Sequence, residues 1–145
     1  MVVRKRKKVE RWYYIILTLA VLWNLLGVSA FAMQLLMTPE AIANLPPAER
    51  ELYTNIPVWA TIAFGVAVLG GTLGSVGLLL RKRWGLIVLW LSLLGVLTQM
   101  THALLLSDAL KVSGPGAAVL PTLITVVAVA LIILGRNANT RHWLD

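Results

Sequence analysis

Four stretches of this chain run for about twenty residues or more without a single Asp, Glu, Lys or Arg: Trp12 to about Met37, Val58 to Leu80, Trp84 to Leu106, and about Ala117 to Leu134. That length is what a helix needs to cross the hydrocarbon core of a bilayer, where an unpaired peptide group costs several kcal/mol. Composition agrees with the spacing. Hydrophobic residues make up 59% of the 145 and charged ones 13%, about half the charged share of soluble domains. A chain this short could not hide so much apolar surface in one aqueous core. The expected architecture is all-α: a polytopic four-helix membrane bundle forming one domain over residues 1–145.

The breaks between the spans are chemically distinct. Pro39, Pro46-Pro47 and Pro57 separate the first two within an outer loop at 38–57, where short helices are expected at Pro39–Leu45 and Pro47–Tyr53. Arg81-Lys82-Arg83 alone separates the second and third, which makes those two a tight antiparallel hairpin. Ser113-Gly114-Pro115-Gly116 supplies turn residues before the fourth, and Arg136-Asn137 is expected to end it. Of 13 Lys and Arg, all but Arg50 and Lys111 fall on the side that carries both termini and the hairpin turn. By the positive-inside rule both termini are cytoplasmic. Trp12, Trp59, Trp84 and Trp143 fall near the interfaces, as an aromatic belt would. Ala30-Phe31-Ala32 imitates a signal-peptide cleavage site, but the apolar run is longer than a usual signal core, so it reads as a retained span.

The basic run Arg4–Lys8 adjoins a span, which makes it a topology signal that meets anionic headgroups rather than a nucleic-acid patch. The absence of cysteine excludes disulfides and thiolate chemistry. No span holds a carboxylate or ammonium, which argues against proton-coupled exchange. Paired carboxylates and phosphate-cradling glycine loops are missing, so no catalytic residue and no cofactor is expected. His102 has no second histidine on its helix, so no metal site is expected either.

Uncharged polar residues inside a span mark a surface turned away from lipid. Ser92, Gly95, Gln99 and His102 share one arc of the third helix, and Asn24, Gly27 and Gln34 share one of the first. The reading is a polar seam between helices one and three, with Asn24, Gln34, Gln99 and His102 as candidate ligand-binding residues. On the second helix Ala63, Ala67, Gly71 and Ser75 recur every four residues beside Gly70 and Gly74. Ala67, Gly70, Gly71, Gly74 and Ser75 therefore form a helix-packing face whose partner is either internal or another chain. Leu22-Trp23-Asn24-Leu25-Leu26-Gly27-Val28 also echoes Leu89–Val96, which pairs Asn24 with Ser92 and Gln34 with His102 as in a parallel repeat.

Several phrases together, Leu22-Trp23-Asn24-Leu25-Leu26-Gly27, Met33-Gln34 with Met37-Thr38, Pro46-Pro47-Ala48-Glu49-Arg50, Pro57-Val58-Trp59, Gly71-Thr72-Leu73-Gly74 and Gly95-Val96-Leu97-Thr98-Gln99-Met100, resemble a family of small four-spanning bacterial membrane proteins. Its members often carry the label "sugar transporter". The resemblance implies the four-span fold and a bacterial inner-membrane setting, with transport as a suggested activity. Three classes of function remain open. One is a transporter or channel-like protein for a neutral polar solute, with the four seam residues facing the solute. Another is an accessory subunit whose Gly-rich helix packs on a larger membrane partner. The third is a lipid- or quinone-binding module using His102. Bilayer lipids are the expected partners, with further copies of the chain or a larger complex beside them.

Overall fold

The computed structural model describes residues 7–145; Arg4, Lys5 and Arg6 of the basic run lie outside the described residues. Seven α-helices follow one another: α1 Arg11–Leu36, α2 Pro39–Ala43, α3 Pro47–Thr54, α4 Val58–Leu79, α5 Trp84–Thr101, α6 Ala109–Ser113 and α7 Val119–Thr140. A π-helical turn, His102–Leu106, extends α5, and a 3-10 turn, Pro115–Ala118, leads into α7. Four segments are long and apolar enough to span a membrane: Arg11–Leu36, Val58–Leu79, Trp84–Leu106 and Pro115–Thr140. This is an integral membrane protein with an all-α four-helix bundle.

Helix ends follow local chemistry. Thr38 Oγ1 accepts the Ala41 N–H at 3.1 Å and caps α2, with Pro39 in the first turn where its missing N–H costs nothing. Arg50 Nη2 donates to the carbonyls of Ala43 and Leu45 at 2.9 and 3.1 Å, tying α3 back onto α2. The fourth span departs from expectation. Its helix continues through Arg136 and Asn137 to Thr140, because polar side chains at a helix's exposed end can reach water without interrupting the backbone ladder.

The centre of the bundle is α4. Half of its apolar window is buried, 50% against 11% for the windows of α1 and α7. It packs on α1 on one side and on α5 on the other, while α7 rests chiefly on α5. Small residues make this possible. A Cβ on Gly85 would lie 2.7 Å from the Leu78 nitrogen, and one on Gly95 2.8 Å from both the Ala63 oxygen and the Ala67 nitrogen. The α4 and α5 backbones thus touch almost directly, and close approach is what dispersion rewards in a solvent as apolar as the side chains. The outward faces carry the large exposed side chains, among them Ile15, Leu36, Val58, Ile87 and Leu105. In water these would be a liability; in lipid they are the solvated surface.

The end of the molecule where α1 begins and α7 ends is closed. Tyr13, Leu17, Ala20, Leu78, Leu131, Ile132, Ala138, Trp143 and Leu144 form one buried cluster there. Trp143 is therefore not part of the aromatic belt. It is 4% exposed, whereas Trp12, Trp59 and Trp84 are 39%, 44% and 44% exposed. The chain after α7 turns back and inserts Trp143 edge-on against Tyr13 and Trp12, with centroids 5.4 and 5.8 Å away, while the Arg141 guanidinium lies over its ring.

Two matching turns hold this closure. Lys82 N–H bonds the Gly77 carbonyl and Arg81 N–H that of Leu78; Trp143 N–H bonds Ala138 and His142 N–H bonds Asn139. Each is a Schellman ending. The left-handed position usually given to glycine is held by Arg81 (φ 64°) and by His142 (φ 57°). Side-chain and backbone bonds compensate. Arg81 Nε donates to the Trp143 carbonyl at 2.7 Å, Asp145 N–H donates to Arg81 O at 2.7 Å, and Arg83 N–H donates to Asp145 O at 3.0 Å. Tyr13 adds a hydrogen bond from its hydroxyl to the Leu78 carbonyl at 2.7 Å.

Removing the buried indole should therefore cost far more than removing a lipid-facing one. Trp143→Ala is expected to lower unfolding free energy in mild detergent by about 3 kcal/mol. Trp90→Ala, at a position 46% exposed, is expected to change it by well under 1 kcal/mol. Thermal or denaturant unfolding followed by circular dichroism measures both.

Candidate functional site: a cavity in two parts

The α4 face of small residues is occupied from within the chain. Gly71 lies under the Asn24 side chain so closely that a Cβ there would collide with Asn24 Oδ1. A Cβ on Gly70 would come 3.0 Å from Ser92 Cβ, and one on Gly74 2.6 Å from Leu89 Cγ. Ser92 Oγ donates to the Ala67 carbonyl at 2.6 Å. Ser75 is fully buried, and its hydroxyl finds no partner among the described residues. The stripe thus receives α1 and α5 on adjoining faces.

The polar residues of α1 and α5 accordingly turn to α4 rather than bonding to each other. Asn24 Nδ2 donates to the carbonyl of Ala20 in its own helix at 2.8 Å. Gln34 Nε2 reaches Thr61 Oγ1 of α4 at 3.5 Å. His102 stands edge-on to Trp59 with ring centroids 5.5 Å apart. The echo between the two phrases has a spatial counterpart here. Asn24 and Ser92 meet the adjacent Gly71 and Gly70, Gly27 and Gly95 meet Val68 and Ala67, and Gln34 and His102 meet Thr61 and Trp59. Equivalent positions on two helices antiparallel to α4 come to the same level along it.

Because α1 packs on α4 and α7 packs on α5, α1 and α7 stand apart, and an inner chamber of about 430 Å³ lies between them. Trp23, Leu26 and Ala30 of α1 form one wall, and Leu120, Pro121, Ile124 and Leu131 of α7 form another. Phe64, Val68, Val96 and Met100 contribute from the two central helices. Its polar side chains are Asn24, Ser92 and Gln99.

A second recess of about 160 Å³ sits toward the loop end. Gln34, Gln99, His102 and Ser107 line it, together with Leu52 and Ile56 from the loop at 38–57. Phe64, Gln99 and Ala103 border both spaces, so the recess adjoins the chamber across the Gln99 side chain. The π-helical turn positions this junction. Ser107 N–H bonds the His102 carbonyl at 2.8 Å, and that widened last turn brings His102, Ala103 and Ser107 to the mouth.

Hydrogen-bond capacity is unevenly spent. Ser92 is satisfied by Ala67, and Ser107 Oγ donates to Ala103 O at 2.7 Å. The Gln99 amide makes no hydrogen bond among the described residues, and neither does the His102 ring. No Asp, Glu, Lys or Arg lines either space. Nor do three His, Cys, Asp or Glu side chains gather anywhere among the described residues. Chemically, the pair of cavities can enclose an apolar body and offer a neutral donor and acceptor at one end.

Of the four candidate residues, Asn24 and Gln99 line the chamber, and Gln34, Gln99 and His102 line the recess. Sequence reasoning missed the apolar walls, Trp23, Phe64 and the α7 face. No signal could have separated them, since a leucine facing lipid and a leucine facing a cavity have the same periodicity. No protein-family model, curated protein or solved structure matches this chain.

The Asn24–Gly71 contact yields a double-mutant test. Gly71→Ala alone should destabilise by about 1–3 kcal/mol through overpacking, and Asn24→Ala alone by about 0.6 kcal/mol. The double variant should be more stable than Gly71→Ala, because the colliding amide is gone. Unfolding curves for the three variants give the coupling energy.

Proposed function

We propose that this protein binds an amphiphilic, largely apolar molecule taken up from the bilayer, a lipid- or quinone-like ligand in the broad sense. The observation that carries this reading is the joining of an apolar chamber to a small polar recess, free of Asp, Glu, Lys and Arg, through Gln99. Most ligand pockets combine apolar walls with a few placed polar groups. Here the walls are Leu, Ile, Val, Phe and Met, which suits a hydrocarbon tail. The ligand's entry route is the gap between α1 and α7, and its polar end lies with Gln34, Gln99 and His102.

The other two readings have less support. A path for a neutral polar solute would use the same four side chains, and the "sugar transporter" label of the family that this sequence resembles points that way. Yet Asn24 Nδ2 already donates to the Ala20 carbonyl, and a hydroxyl-rich solute would leave most of its polar groups unmet in the chamber. An accessory role rested on the glycine face of α4, which α1 and α5 cover. The basic end, with both termini and Arg81–Arg83, is placed on the cytoplasmic side by the positive-inside rule. The setting proposed from the resemblance is a bacterial inner membrane.

The test is whether the purified protein retains a bilayer molecule. Lipid extraction and mass spectrometry after mild-detergent purification should recover a specific amphiphile. Ala128→Trp, which fills the chamber, should lower its occupancy at least several-fold, while Leu97→Trp on the lipid face should leave it unchanged. Equal occupancy in Ala128→Trp and the parent would sink the reading.

A further inference from the structure

We infer that the cavity selects an uncharged lipid alcohol: a long apolar tail ending in a hydroxyl, rather than an anionic lipid, an ether or a quinone-like acceptor. The inference rests on the cavity reading above and concerns only which head group that cavity accepts.

The argument begins with charge. Neither space is lined by a basic or acidic residue, and the two cations of the loop end are engaged elsewhere. Arg50 is bound to the carbonyls of Ala43 and Leu45, and Lys111 pairs with Asp108 at 3.0 Å. A phosphate or carboxylate at the mouth would be partly desolvated with no counter-charge, which is the expensive case.

Hydrogen-bond chemistry narrows the choice further. Gln99 borders both the chamber and the recess with its entire amide unpaired among the described residues. An amide offers donors on nitrogen and an acceptor on oxygen, whichever way it is turned. A hydroxyl can serve both ends, accepting from Nε2 and donating to Oε1. An ether or quinone oxygen serves the nitrogen alone and leaves Oε1 unmet once the ligand covers it. The His102 ring, unpaired among the described residues, also lines the recess and supplies a further hydrogen-bonding partner. An unmet buried polar group commonly weakens binding by about tenfold.

Four probes with one tail isolate the head group: hexadecan-1-ol, its methyl ether, hexadecanoate and hexadecane. Binding to the full-length protein in mild detergent is followed by native mass spectrometry. Hexadecan-1-ol is expected to bind about tenfold more tightly than either the ether or the anion. In Gln99→Leu that preference should fall to about onefold while tail binding persists. Gln99→Met repeats the measurement in a second shape-matched side chain, in case the first disturbs folding. Hexadecanoate binding as well as or better than the alcohol overturns the inference, and so does a preference that survives both substitutions. Equal binding of all four probes overturns the head-group selection alone and leaves the cavity reading intact. Failure of every probe to bind removes both.

Discussion

The near-contact of two backbones along α4 and α5 underlies everything else in this molecule. In lipid there is no hydrophobic gain from bringing helices together, so association depends on how closely they can approach. Gly85 and Gly95 let α5 lie against α4 with no side chain intervening, and Ser92 adds a bond to the Ala67 carbonyl. With that pair fixed, α1 and α7 have different surfaces to rest on. One leans on α4 and the other mainly on α5. The chamber follows from this division, since two outer helices docked on different inner helices need not touch each other at mid-depth.

The closed and open ends differ in kind. At the end with the termini, aromatic and aliphatic side chains from α1, α4, α7 and the tail fill the space. Toward the loops, the widened turn at His102–Leu106 and the short helix α3 leave a recess instead. The Gln99 amide and the His102 ring, unpaired among the described residues, lie at this end, His102 within the widened turn itself.

Much of the fold was legible in advance. Uncharged runs of sufficient length marked the spans, and the three-residue basic turn marked the hairpin, because both follow from the energetics of lipid. The polar faces of α1 and α5 were legible too, but their partner was not. Asn24 and Ser92 share an inward face with no clue that α4 would stand there to receive them. The cavity itself left no trace in the pattern, since its walls are ordinary apolar residues. The burial of Trp143 was hidden for a related reason. An indole near a helix end looks the same whether it lies flat at the headgroups or turns inward, and the deciding factor, the left-handed residue at His142, is not one that sequence marks.

The docking of the chain's last residues onto Arg81 and Arg83 has a consequence for assembly. The basic triplet holds the hairpin turn at one face of the bilayer, and the tail can reach that turn only if α7 has emerged on the same face. A chain whose final helix failed to insert, or inserted backwards, would leave the Arg81 guanidinium and two main-chain groups unpaired, with Tyr13 and Leu17 uncovered beside them. The bonds between tail and hairpin turn are thus compatible only with a topology in which every crossing runs in the right sense.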